Sequence, residues 1–103
     1  MSIRFDEKVV IVTGAGGGLG REHALEFARR GAKVVVNDLG GSVEGNGASD
    51  SANEVVEQIK SEGGDAVANG ASVTDLDAVK GMVNETMKKW GRVDVLVLIM
   101  QES

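Results

Sequence analysis

Four short apolar runs stand along this chain at intervals that leave room for a helix between each pair, and that spacing constrains the fold more than any other feature. The runs are residues 8–12 (KVVIV), 33–37 (KVVVN), 65–69 (DAVAN) and 93–100 (VDVLVLIM). Three of them are continuous and rich in β-branched residues, as in strands covered on both faces; the third, with two alanines, is the weakest. Between them the periodicity changes from that of a strand to that of a helix. Gly20, Ala24 and Ala28 recur every four residues beside a row of Leu19, His23 and Phe27, and Gly31 follows as a stop. Ala52, Val55, Val56 and Ile59 form a second helical stripe, with Ser51 and Glu54 at capping-box spacing before it and Gly63 and Gly64 behind it. Leu76, Val79, Val83, Met87 and Trp90 mark one face of a third helix, with Thr74 and Asp77 at the same capping spacing and Gly91 at its end. The resulting order, βαβαβαβ, needs right-handed crossovers and specifies a Rossmann-like half fold with a four-stranded parallel sheet. Reversal of strand order after the third strand predicts the arrangement 3-2-1-4, with two helices on one face and the third on the other.

A chain of 103 residues forms a single domain, and 42% hydrophobic against 26% charged residues is the balance of an ordinary globule. The formal charge of −5 argues against a partner held through its phosphate backbone, so nucleic acid is excluded. No apolar run approaches the roughly 20 residues needed to cross a bilayer, and the opening MSIRFDEK lacks a signal-peptide core. An intracellular protein without a membrane partner is therefore expected. The absence of cysteine closes thiolate catalysis and thiolate metal sites, and no metal site is predicted.

Glycine is the residue in excess, and its main cluster, TGAGGGLG at residues 13–20, lies between the first strand and the first helix. There Gly14 can take a backbone conformation closed to other residues, Gly18 lets the chain approach a pyrophosphate, and Gly20 lets helix and strand pack closely. The helix N-terminus behind the loop supplies amides and partial positive charge for phosphate. The pattern is T-G-x-x-x-G-x-G, neither G-x-G-x-x-G nor a P-loop, since no Lys followed by Ser or Thr closes it. Gly14, Gly16, Gly18, Leu19 and Gly20 are the candidate cofactor-binding residues of this loop. Asp38, 24 residues beyond Gly14 at the end of the second strand, is placed to receive the adenosine ribose hydroxyls. A carboxylate there disfavours a 2′-phosphate, and Arg21 is the single cation near the loop, so NAD is favoured over NADP. His23, Met82, Met87 and Trp90 are read as packing or surface residues, and Glu54, Glu57, Glu62, Asp75 and Asp77 as caps and solvated faces.

Taken together, TGAGGGLG, AKVVVNDLGG (residues 32–41) and GRVDVLV (residues 91–97) resemble the short-chain dehydrogenase/reductase family. VVVNDLGG followed by a glycine-rich insert and ANEVVEQIKSEGGDAVAN is most similar to the (3R)-hydroxyacyl-CoA dehydrogenase branch of that family. The resemblance implies an NAD-dependent oxidoreductase, with Gly14, Gly18 and Gly20 in the dinucleotide loop and Asp38 on the ribose. It also implies a peroxisomal or cytoplasmic location. Two departures matter. Ala71 stands where the family carries an Asp near the adenine, which removes a cofactor hydrogen bond. The likeness ends at Val97, where the family continues as Asn-Asn-Ala-Gly, and the family's catalytic Ser, Tyr, Lys and helical Asn lie beyond that point. With no tyrosine among its residues, this chain is expected to bind NAD(H) without transferring hydride by itself. The alternatives are a fragment completed by another chain and a self-associating structural module. The apolar fourth strand, left at a sheet edge, predicts a homodimer or higher association.

Overall fold

The computed structural model describes residues 5–14, 18–38, 50–70 and 75–97. Seven elements follow one another as β1 (Val9–Val12), α1 (Gly18–Arg29), β2 (Lys33–Asn37), α2 (Asp50–Ser61), β3 (Asp65–Asn69), α3 (Leu76–Trp90) and β4 (Val95–Val97). The four strands form one parallel sheet in the order β3-β2-β1-β4, the predicted topology. Register pairs Val12 with both Val36 and Val97, and Asn37 with Asn69, so the carboxyl ends of all four strands come level at one end of the sheet.

Alternation along the strands divides the core. Val10, Val12, Val34, Val36 and Ala66 face α1 and α2, where Ala24, Leu25, Ala52, Val55, Val56 and Ile59 pack against them. The small side of α1, with Gly20 and Ala24 buried, lets that helix lie close on the sheet. Ile11 and Val35 point to the opposite face and meet Met82 of α3, with Val67, Val79, Val83, Trp90 and Val93 around them. The α3 side thus carries the smaller cluster, as the distribution of helices predicts.

Several boundaries differ from expectation, each for a local reason. β1 starts at Val9 because Glu7 has φ 66° and the Lys8 amide donates back to the Phe5 carbonyl at 2.9 Å, a turn that occupies the residue before the strand. Helix α2 already includes Asp50, so Ser51 lies inside its first turn and is not the cap. For α3 the cap is Asp75 rather than Thr74: its carboxylate accepts from the amides of Asp77 (3.0 Å) and Ala78 (3.3 Å). The buried stripe of α3 runs through Met82 and Thr86, while Leu76 and Met87 are exposed at 66% and 44%. Thr86 is accommodated there because its hydroxyl donates to the Met82 carbonyl one turn back, at 2.8 Å. Strand β4 is shorter than the apolar run that contains it, and residues 98–100 of that run lie outside the described residues.

Candidate functional site

Reversal of strand order between β1 and β4 creates a switch point at the carboxyl end of the sheet, where doubly wound folds open a crevice for ligands. Thr13, directly after β1, is buried there; its amide donates to the Val97 carbonyl at 2.9 Å and its hydroxyl to the same oxygen at 3.4 Å. The ends of β1 and β4 are thereby tied together. Gly14 then turns the chain with φ 61°, in the left-handed region that a side chain disfavours. Gly16 lies outside the described residues.

Helix α1 begins at Gly18, so the first-turn amides of Gly18, Leu19 and Gly20 have no acceptor within the helix. No acidic residue stands in that turn to neutralise the helix dipole. Gly20 is buried, whereas Leu19 is 63% exposed and faces away from the core. Arg21 does not stand open beside the loop: its guanidinium donates to Gln58 Oε1 of α2 at 2.8 Å, which holds the side chain on the α1–α2 seam.

Asp38 follows β2 directly and is half-buried, with its amide donating to the Asn69 carbonyl at 3.0 Å. The glycine turn, the start of α1 and Asp38 therefore share one end of the sheet. Two residues that the sequence reading passed over stand beside them. Asn37 is 2% exposed, and its side-chain Nδ2 donates to Asn69 Oδ1 at 3.0 Å and to the Asn69 carbonyl at 3.3 Å. The signal was present in KVVVN and DAVAN, two apolar runs that each end in Asn and pair in register. Ala71, with the hydrogen bond expected to be lost there, lies outside the described residues.

Elsewhere, a cleft of about 430 Å³ opens between the carboxyl ends of α1 and α2, at the opposite end of β2 and β3. It holds none of the predicted site residues. Arg29 and Glu62 bridge two sides of it at 3.0 Å, and that hydrogen bond keeps the Glu62 carboxyl below its ordinary range. Glu62 is thus an ion-pair partner between helices and not simply a solvated residue. His23 is half-buried on α1. Among the described residues no cluster of His, Asp and Glu is arranged to hold a metal ion, and no helix is long and apolar enough to cross a membrane.

A parallel 3-2-1-4 sheet with a left-handed glycine after β1 and an acidic residue after β2 is the frame of the doubly wound dinucleotide-binding folds. Residues 8–98 match the short chain dehydrogenase family, and the chain belongs to it. Among its relatives it is 57% identical over 98 residues to the peroxisomal multifunctional enzyme A of Dictyostelium discoideum, covering 94% of this chain and 22% of that protein. To the peroxisomal multifunctional enzyme type 2 of Drosophila melanogaster it is 55% identical, covering 92% of this chain and 16% of the relative. The chain thus spans less than a quarter of the length of either. A short chain dehydrogenase from Mycobacterium avium superimposes with a TM-score of 0.88 at 48% identity, over 94% of this chain and 35% of that one. A 7α-hydroxysteroid dehydrogenase complexed with NADH and 7-oxo glycochenodeoxycholic acid gives 0.78 at 39% identity, over 90% of this chain and 33% of that one.

Proposed function

We propose that residues 1–103 form a single nucleotide-binding unit, the cofactor half of a short chain dehydrogenase, and that it takes NAD in preference to NADP. The observation that carries this reading is the meeting of Gly14 at φ 61°, the first turn of α1 and Asp38 at the carboxyl end of one parallel sheet. These residues fit the group. Gly14, Gly16, Gly18, Leu19 and Gly20 would hold the pyrophosphate, and Asp38 the adenosine ribose. The NADH carried by the 7α-hydroxysteroid dehydrogenase supports a nicotinamide cofactor. Preference for NAD follows from the Asp38 carboxylate, which repels a 2′-phosphate, and from Arg21, which is engaged by Gln58. When bound, the nicotinamide accepts or donates a hydride.

The similarity to peroxisomal multifunctional enzymes supports a (3R)-hydroxyacyl-CoA as the substrate class of the complete enzyme. Within these residues the part played is binding and orientation. No tyrosine is present to pass the proton that accompanies the hydride, so the chain by itself turns nothing over.

Calorimetric titration with NAD and NADP tests this reading. Saturable NAD binding, weaker NADP binding, loss of NAD binding in Gly18→Val and weakened but still measurable NAD binding in Asp38→Ala are expected. A folded chain that takes neither nucleotide overturns it, and NAD reduction by the purified chain with a hydroxyacyl-CoA overturns the assignment of inactivity.

Exposure of β4 favours a second property of the same chain. Among the described residues it ends the sheet in the order 3-2-1-4, and Leu96 on it is 43% exposed. A strand of this composition at an edge invites pairing with a second copy. Sedimentation equilibrium is expected to return a dimer or larger species, and a monomer throughout the concentration range removes this reading.

A further inference from the structure

β2 reads Lys-Val-Val-Val-Asn, and its last side chain is buried as deeply as the valines before it. Register and alternation place Asn37 on the α3 side of the sheet with Val35, and Asn69 beside it with Val67. An amide buried at 2% exposure must be hydrogen-bonded, and an apolar residue would fill such a position without that requirement. Here its Nδ2 donates to Asn69 Oδ1 at 3.0 Å and to the Asn69 carbonyl at 3.3 Å. That carbonyl also receives the Asp38 amide at 3.0 Å. Three donor–acceptor contacts thus converge on Asn69 from two consecutive residues of β2 and its exit. The backbone from which the Asp38 carboxylate projects is tied to the neighbouring strand at the point where β2 ends.

We infer that Asn37 and Asn69 are positioning residues for Asp38: the amide pair holds its carboxylate in the orientation that receives the adenosine ribose. The inference rests on the nucleotide-binding reading above. Neither asparagine touches the nucleotide; both act through Asp38.

A double-mutant cycle separates this role from a purely structural one. NAD is titrated calorimetrically into the 103-residue chain as wild type, Asn69→Ala, Asn37→Ala and Asp38→Ala, and as the two doubles with Asp38→Ala. With Asp38 present, Asn69→Ala is expected to weaken NAD about 3- to 10-fold, the size of one lost hydrogen bond, and Asn37→Ala, which removes two, more than that. In the Asp38→Ala background the same substitutions change affinity by less than about 2-fold, because the group they orient is gone. Equal losses in both backgrounds, or no loss with Asp38 present, overturn the inference while leaving NAD binding intact. Failure of the wild type to bind NAD overturns the nucleotide reading and this inference with it. Should the alanine variants not fold, amide hydrogen exchange in the wild type decides. A slowly exchanging Asp38 amide is expected, and exchange at the unprotected rate overturns the clamp.

Discussion

Val9 and Asp94 hold each other twice. The Asp94 amide donates to the Val9 carbonyl at 2.9 Å, and the Val9 amide donates to the Asp94 carboxylate at 2.8 Å. The first residue of β1 is thereby fixed to the residue just before β4, although 85 positions separate them in the chain. Arg92 completes the arrangement with a bidentate contact to the same carboxylate, at 2.8 and 2.7 Å. At the other end of this strand pair Thr13 is bonded to Val97. The switch point between β1 and β4 is therefore closed at both ends by bonds outside the regular ladder.

That junction makes stability depend on pH. The Arg92 guanidinium, and after it the Val9 amide, hold the Asp94 carboxyl below its ordinary range. The folded chain thus binds fewer protons at this group than the unfolded chain, and the stabilisation is present above the ordinary carboxylate pKa. It is lost as pH falls through the lower, folded value. Glu62, lowered by Arg29, acts in the same direction. Thermal unfolding from pH 7 to pH 2.5 is expected to show a steeper acid decline for wild type than for Asp94→Asn. Parallel curves would dismiss the junction as a source of the dependence.

Asp75 caps α3 through two amides, so Asp75→Ala is expected to cost about 1 kcal/mol, within the range of roughly 0.5–2 for such caps. Thr74→Ala is expected to cost less, since the cap is its neighbour. Urea denaturation of the two variants ranks them, and the reverse ranking would return the cap to Thr74.

Ile11 is the central apolar side chain between the sheet and α3, fully buried against Val35 and Met82. Truncation to Ala should cost about 2–5 kcal/mol, the range for a buried Ile that leaves a cavity. This face carries the smaller cluster, so the loss is expected to release α3 first. Hydrogen exchange would show this as lost protection in α3 with α1 and α2 retained, and simultaneous loss in all three helices would count against it.

The topology was legible in the sequence because it depends on features that survive single substitutions: four apolar runs, three helical stripes and the glycines that end them. Details set by one side chain's surroundings were less legible. Thr74 and Asp75 are both competent caps, and the start of α3 at Leu76 is what makes Asp75 the cap. Met87 is as apolar as Met82, yet α3 turns the face of Met82 and Thr86 to the sheet, and the threonine tolerates this by returning its hydroxyl to the Met82 carbonyl. In the candidate site, TGAGGGLG and Asp38 were readable from spacing. The Asn37–Asn69 pair was not, since it exists only once β2 and β3 are set in register.

Two glycines separate packing from propensity in a last prediction. A methyl group on Gly64 would stand 2.8 Å from Ile59 Cγ2 and 3.3 Å from the Ile59 carbonyl, with Ala28 at 3.8 Å. Ile59 is itself 1% exposed and β-branched, so it has little freedom to withdraw. Gly64→Ala is accordingly expected to destabilise by about 1–3 kcal/mol through overpacking. Gly81 lies inside α3 on its exposed side, with nothing within 4 Å of an added methyl. Gly81→Ala should stabilise by about 0.5–1 kcal/mol, because alanine loses less backbone freedom on entering a helix. Urea midpoints of the two variants should therefore move in opposite directions from wild type. A shift of the same sign in both would mean that the approach of β3 to Ile59 is looser than 2.8 Å implies, or that α3 gains nothing from helix propensity at its exposed face.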